Sequence, residues 1–411
     1  MHSAPEVVVV GGGPGGAAAA YWLARHGHHV MLVEKREYPR AKTCGDGLTP
    51  RAIRELLEMG LDFSVPGFHR CKGLRAVAGN LIVELEWPEH QLYPNWGGVM
   101  RRSELDAQLG RLVEGQGAVV RQGTVARPVL GSGGTAAVAL VGGGETEVVT
   151  PQAVVVADGA LSRFGRALGT RRDRRLPFGL GVRGYFTSPR SDDGFLESYL
   201  DLRQSGSALP GYGWVFPLGD GTVNVGVGVI STFHRWKEVN TSALLDLLVA
   251  TADSSWGLSA EGRLGRPTGG ILPMSFSVGP LVGANWVLVG DAAGAVNPFN
   301  GEGIAYALET GRAAARHLST ALAARDLTLL KSYRQEMADR YGLYYRVGRA
   351  FVRLIGRPGV MRLLTRTGLR SRPLMEWVMR VMANLLDPAD RGVGLAAYRV
   401  LERIVQMGPE P

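Results

Sequence analysis

Gly11, Gly13 and Gly16 stand at G-x-G-x-x-G spacing, and an acid, Glu34, follows at the distance of about 20 residues that a dinucleotide site requires. Gly11 permits a tight turn, Gly13 lets the backbone approach a pyrophosphate, and Gly16 lets a helix pack closely on a strand. Pro14 and Gly15 complete the turn, and Glu34 is placed to accept hydrogen bonds from a ribose 2′-hydroxyl. Two further acids, Asp158 of Asp158-Gly159 and Asp291 of Gly290-Asp291, each end an apolar run. Cys44 lies in Lys42-Thr43-Cys44-Gly45-Asp46-Gly47, where glycines on both sides of an acid suit close approach of backbone to a ligand. Taken alone, Cys44 reads first as a small buried hydrophobe, and Cys71 more so. Tyr212, Trp214 and Phe216 alternate, so on a strand they share one face. Such a row is usually core.

The elements that must position these residues follow from hydrophobic period and turn chemistry. Residues 7–10 are a buried strand running straight into the glycine turn; 17–24 form a helix closed by Gly27; 29–33 form a second strand ending in Glu34. The helix start adds N–H groups and a positive dipole end for phosphate. Thr49 is an N-cap with Pro50 at the first position of a helix over 51–57. A hairpin pairs 74–77 with 81–87, and a helix opens near 99 and runs through Leu112. Short strands at 118–120 and 124–126 precede a β excursion of 129–140 and 145–150 about a glycine turn at 142–144. The strand 153–157 ends in Asp158. This is a doubly wound α/β unit with two β insertions.

From Phe178 the character changes. Runs at 180–187, 196–202, 211–218 and 222–231 predict a mostly antiparallel sheet, with a helix at 244–250. Within it, 224–229 sets glycine on one face and valine on the other, leaving a face open to another backbone or a flat ligand. The strand beginning at Trp286 returns the chain to the first unit. The rest is expected to be helical: from 304, then 329–340, 341–355, 360–364, 374–386 and 396–405. The resulting division is 1–73 with 98–177 and 280–320 as a nucleotide-binding domain, 74–97 with 178–279 as an inserted substrate domain, and 321–411 as a C-terminal helical region.

Composition narrows the function classes. Two cysteines build no disulfide framework, which points to a reducing cytoplasm. Residues 1–6 lack the basic start of a signal peptide, and no apolar run reaches the roughly 18 residues of a spanning helix. The net charge is +9, and the stretch from Arg340 to Arg372 holds nine arginines with no lysine and no acid, so that one segment equals the whole excess. Nucleic acid is not the expected partner, because no aromatic reader surface is interleaved with the charge. The fingerprint occurs once, so one dinucleotide is held tightly and no second domain is dedicated to a nicotinamide cofactor.

The glycine fingerprint, Asp158-Gly159, and Gly290-Asp291 with Asn297-Pro298-Phe299-Asn300-Gly301-Glu302-Gly303 resemble flavoproteins of the aromatic-hydroxylase type. The segment 42–50 and Pro210-Gly211-Tyr212-Gly213-Trp214-Val215-Phe216-Pro217 resemble the geranylgeranyl reductase family, nearest its actinobacterial, menaquinone-reducing members. The likeness runs from about Val7 to Leu386. One departure is that the proline three places before the tyrosine of the Tyr-x-Trp-x-Phe-Pro box is Leu209 here, with Pro210 one place late. The resemblance implies an α/β fold: a Rossmann-like FAD-binding domain of glutathione-reductase type with an inserted antiparallel domain. It implies that Gly11, Gly13, Pro14, Gly15 and Gly16 hold the FAD pyrophosphate. Glu34, with Lys35 beside it, holds the adenosine ribose. Arg102 reaches FAD phosphate or ribityl oxygens, the Val125 backbone meets the adenine, and Gly290-Asp291 binds the ribityl chain. Pro298, Gly301, Gly303 and Ile304 border the flavin, and the N–H groups of the last three face its pyrimidine edge, where they favour negative charge. Cys44 and Gly45 line the cavity beside the flavin. Asp158 and Gly159 read as structure, or as a route for a reducing cofactor, before catalysis.

The resemblance further implies an FAD-dependent reductase of carbon–carbon double bonds in an isoprenoid chain, such as a geranylgeranyl group or the menaquinone side chain. Reduced flavin N5 gives a hydride, and electrons come from NAD(P)H bound transiently or from a ferredoxin-like donor. Tyr212, Trp214 and Phe216 wall an apolar cavity, where the Tyr212 hydroxyl and the Trp214 N–H are polar handles for a headgroup. Cys44 and Tyr212 are the candidates for shaping the catalytic step; no general acid stands out. Residues 341, 344, 345, 348, 351, 352 and 355 follow helical spacing, with Arg346, Arg349 and Arg353 on another stripe. That helix either rests on anionic lipid at the inner face of the membrane or packs against a domain with its arginines solvated. The rival activities are a flavin monooxygenase, which requires O₂, and an electron-transfer flavoprotein without an alkene substrate. A halogenase is disfavoured, because Lys42 does not accompany a tryptophan-rich motif.

Overall fold

The four valines at residues 7–10 are fully or almost fully buried, as a strand covered on both faces must be. In the computed structural model, which describes residues 4–131, 134–204, 206–357, 359–360, 368–386 and 393–407, they form the middle of a five-stranded parallel sheet. Its order is Trp286–Leu288, Ala153–Val156, Val7–Val10, Val30–Val33 and Val119–Arg121. The helix Pro14–Arg25 follows the glycine turn and packs on the helix Ile304–Ala323. Glycines set that approach: a Cβ on Gly311 would lie 2.3 Å from the Gly15 carbonyl oxygen.

A second sheet of seven strands has the order Arg263–Pro273, Phe178–Thr187, Thr222–Ile230, Gly211–Pro217, Phe195–Tyr199, Gly73–Ala78 and Leu81–Glu86. Its pairs are antiparallel except Phe195–Tyr199 with Gly73–Ala78. The helix Thr241–Thr251 buries Leu244, Leu245 and Leu248 against the valine face of Thr222–Ile230. The glycine face of that strand is filled from within the protein: the Trp214 indole lies over it, and a Cβ on Gly226 would meet Trp214 at 2.2 Å. That face therefore takes a side chain, not the flat ligand that the alternation allowed.

Other expectations are corrected. The excursion after Thr124 is a three-stranded antiparallel sheet, Val125–Gly131, Gly134–Gly142 and Glu145–Val149, so the run 129–140 is split by a reversal. The strand Arg263–Pro273 has no counterpart among the predicted elements. The two helices expected to meet at 340/341 are one, Lys331–Ile355. Its tyrosine stripe is buried: Tyr341, Tyr344 and Tyr345 pack against the core of the parallel-sheet unit, while Arg346, Arg349 and Arg353 are half-buried. The apolar face of this helix is therefore spent on packing. The expected helix at 360–364 extends into residues outside those described. The helices Arg372–Met382 and Val393–Met407 close the described chain. No helix among the described residues is long and apolar enough to cross a membrane.

Candidate active site

The glycine turn has the geometry its residues imply. Gly11 adopts φ +105°, and a Cβ there would lie 2.4 Å from the Ala157 carbonyl oxygen; one on Gly16 would lie 1.9 Å from that of Gly11. Gly13 is the N-cap of Pro14–Arg25, and its Cβ position faces Arg102 Nη2 at 3.6 Å and Arg40 Nη2 at 3.8 Å. A helix start, a turn that only glycine fits and two guanidinium groups form a cradle suited to a diphosphate. Glu34 is buried; its Oε2 accepts from the Gly12 N–H at 2.9 Å and lies 3.2 Å from Arg40. Arg102 donates to Asp106 at 3.0 and 2.9 Å, and Arg40 pairs with the same carboxylate at 3.1 Å. Arg40, which the sequence reading did not single out, is placed by its ion pairs to face the same turn. Lys35, beside Glu34, is exposed, as is Val125 at the start of its strand.

The segment after Thr43 is held by the second sheet. Asp46, at φ +64° and fully buried, accepts from the Arg102 backbone N–H at 3.1 Å, the Tyr185 hydroxyl at 2.6 Å and Asn224 Nδ2 at 2.8 Å. Asn224 also donates to the Cys44 carbonyl at 2.9 Å, and Arg183 does so at 3.2 Å. Burial pushes the Cys44 thiol up, against the nearby Arg102. Tyr212, Trp214 and Phe216 share a face, with ring centroids 5.9 and 6.2 Å apart. They back the segment directly: a Cβ on Gly45 would lie 3.4 Å from both Phe216 and Trp214, and one on Gly47 3.1 Å from Phe216. The polar tips are engaged internally. Trp214 Nε1 donates to Asn224 at 2.9 Å, and the Tyr212 hydroxyl donates to the Asn300 carbonyl at 2.7 Å. The Trp214 handle is therefore unavailable to a headgroup, while the Tyr212 oxygen retains its acceptor capacity.

The third wall is the turn between the last parallel strand and the helix Ile304–Ala323. Gly290 takes φ +56° and donates its N–H to Thr310 at 3.0 Å. The Cβ position of Gly303 lies 3.4 Å from Asp291 Oδ1, which sets the two against each other. Gly301 has φ +76°, but its N–H is spent on the Asn297 carbonyl at 2.9 Å. Of the three N–H groups expected to face a ligand, the Gly303 and Ile304 pair at the helix start remains. Pro298 is buried beneath the turn, 2.5 Å from the Cβ position of Gly348. Asp158 is placed as a cap: its Oδ2 accepts from the N–H groups of Arg163 and Phe164 at 2.8 and 2.9 Å. Gly159 follows at φ +86°, its Cβ position 3.8 Å from Lys42 Nζ.

A polar network supports the turn from behind. Arg51 holds Glu309 bidentately at 2.6 and 2.8 Å and donates to Tyr93 at 2.7 Å and to the Asn384 carbonyl at 3.0 Å. The Tyr341 hydroxyl donates to Glu309, and the Thr49 hydroxyl to Glu302 Oε1. The Gly13 turn, the Cys44 segment, the aromatic row and the turn before Ile304 are thus joined in one region, through Arg102 at Gly13 and Asp46, the aromatic rings at Gly45, and Tyr212 at Asn300. Their donor set fits FAD.

Comparison with known proteins identifies the family. Residues 4–180 match the FAD binding domain family. The chain is 41% identical over 395 residues to a menaquinone reductase of Mycobacterium tuberculosis, covering 94% of each chain. It is 30% identical over 335 residues to a digeranylgeranylglycerophospholipid reductase of Thermoplasma acidophilum, covering 78% of this chain and 80% of that one. A geranylgeranyl bacteriochlorophyll reductase-like structure, also from Thermoplasma acidophilum, superposes with a TM-score of 0.78 at 24% identity, covering 97% of this chain and 99% of the other.

Proposed function

The chain belongs to the geranylgeranyl reductase family of FAD-dependent oxidoreductases, and from that footing we propose that its substrate is the isoprenoid side chain of a menaquinone. It is an FAD-dependent reductase of isoprenoid double bonds. The observation that carries the menaquinone assignment is the near full-length likeness to the mycobacterial menaquinone reductase. Bound and reduced, FAD supplies a hydride from N5.

The chain's own residues bind, orient and keep the site dry. The turn at Gly11–Gly16 with Arg102 and Arg40 holds the diphosphate; Glu34 takes the adenosine ribose and Asp291 the ribityl chain. The N–H groups of Gly303 and Ile304 favour negative charge on the pyrimidine edge. Tyr212, Trp214 and Phe216 pack against the Cys44 segment and brace it as one wall for the prenyl chain. Tyr212, with its phenol pushed up to about 12 by burial, and Cys44 stay neutral there, so no charge opposes an alkene. The reductant is NAD(P)H or a ferredoxin-like carrier that visits, since one glycine fingerprint serves one resident dinucleotide. Delivery of so apolar a substrate calls for contact with a membrane surface, and the arginine-rich C-terminal region supplies the charge for it.

The test is anaerobic. Enzyme reduced chemically and mixed with menaquinone in its hydroquinone form, whose headgroup can take no further electrons, should be reoxidised in a single turnover, read from the flavin absorbance. Reoxidation that occurs only after O₂ is admitted would favour oxygenation instead.

A further inference from the structure

Saturating an alkene takes a hydride and a proton, and on the reductase reading given above Glu302, which has a carboxyl oxygen sealed from water, is suited to manage that proton. Glu302 sits in the turn that precedes the Gly303 and Ile304 N–H groups. The turn is clamped: Asn297 N–H donates to the Glu302 carbonyl and Glu302 N–H to Asn300 Oδ1, both at 2.9 Å. The Tyr212 hydroxyl is bonded to the Asn300 carbonyl at 2.7 Å and lies 4.0 Å from the Cβ position of Gly301. Glu302 Oε1 accepts from Thr49, the N-cap of the helix that follows the Cys44 segment. Its Oε2 is sealed from solvent with no hydrogen-bond partner.

The groups facing this carboxyl from each neighbouring element are few. Thr49 and Arg51 come from the helix Pro50–Glu58, Tyr306 and Glu309 from Ile304–Ala323, and Tyr212 from its strand. The one cation, Arg51, is already engaged by Glu309. A carboxylate at 302 would leave a buried charged oxygen without a donor, a costly arrangement; the neutral acid does not. Burial accordingly pushes Glu302 up to about 7, although Thr49 and Arg51 pull the other way.

We propose that Glu302 couples proton uptake to reduction of the bound flavin. Negative charge arriving at the pyrimidine edge draws a proton from water onto Glu302. Bound reduced FAD would supply the hydride and its two electrons to one alkene carbon; as that charge left, Glu302 would release its proton, balancing the one that the second carbon gains. Glu302 is thus a positioning residue for charge and proton, acting beside the cofactor.

The readout is the midpoint potential of the bound FAD against pH, which needs no substrate. In the parent holoenzyme, above neutral pH, one extra proton per two electrons steepens the slope by about 30 mV per pH unit. In Glu302→Gln that extra slope disappears. Equal slopes in the two proteins would overturn the proposal. If Glu302→Gln does not retain FAD, Thr49→Val decides: losing the Thr49 hydroxyl removes support for the charged form and should move the break to higher pH, and an unmoved break overturns the proposal. A parent enzyme that shows the extra slope but never saturates the menaquinone side chain would refute the substrate assignment and leave the role of Glu302 standing.

Discussion

Arg40 illustrates what single residues contribute. It bridges Glu34 and Asp106 and faces the Gly13 turn, so its guanidinium is held in place before any phosphate arrives. Arg40→Ala should weaken FAD binding by about 1.5–3 kcal/mol, the range for a charge-assisted hydrogen bond, or roughly tenfold to a hundredfold in Kd. Titration of the apoprotein with FAD, followed by flavin fluorescence, checks this; binding within twofold of the parent would remove Arg40 from the cradle. Glu309 gives a stability prediction. Burial pushes its carboxyl up, but Arg51 and Tyr341 outweigh burial and leave it below its ordinary value. A depressed carboxyl adds stability that is present above the unfolded value of about 4.3 and lost as pH falls through the folded one. Arg51→Ala, which strands that charge, should cost roughly 3–5 kcal/mol in denaturant unfolding at neutral pH. The loss should shrink as the solution is acidified.

At the scale of elements, the second sheet is built around one indole. Gly226→Ala forces a Cβ into Trp214 and should cost about 1–3 kcal/mol, as overpacking does. Through Asn224, which joins Trp214 to Cys44 and Asp46, the same change should raise the KM for the prenyl substrate more than it lowers FAD occupancy. An unchanged Tm and KM would contradict that linkage. The elements also explain what the sequence made legible. Val7 to Glu34 could be read because the strand, the glycine turn, the helix and the acid satisfy one another locally. Arg263–Pro273 could not: its sequence carries two prolines, three glycines and no alternation, and its strand character comes from pairing with Phe178–Thr187. The division near 340/341 does not hold because Lys331–Ile355 carries Gly342 within one continuous helix. Arg40 was hidden for the same reason as Arg263–Pro273, since only tertiary contact brings it to Gly13. Asp46 and Glu302 were visible as motif letters, but their burial and partners were not.

On the proposed function, the whole molecule must meet a substrate dissolved in lipid. With the tyrosine stripe of Lys331–Ile355 buried, the exposed large apolar side chains among the described C-terminal residues include Leu354, Leu374 and a cluster on Val393–Met407: Val400, Leu401, Ile404 and Met407 fall at helical spacing, and Ile404 is 56% exposed. Arg399 and Arg403 are exposed on the same helix. A basic amphipathic surface of this kind suits an anionic bilayer, with about 1 kcal/mol per arginine near the surface. Ile404→Glu should reduce cosedimentation with anionic vesicles and leave turnover of detergent-dispersed menaquinone intact; unchanged vesicle binding would place the contact elsewhere. The central claim, that this site saturates an isoprenoid chain, is tested most directly by mass spectrometry of menaquinone after anaerobic incubation with the reduced holoenzyme. The account predicts a gain of two hydrogens located in the side chain. Unaltered menaquinone, or a product that appears only with O₂ and carries added oxygen, would contradict it.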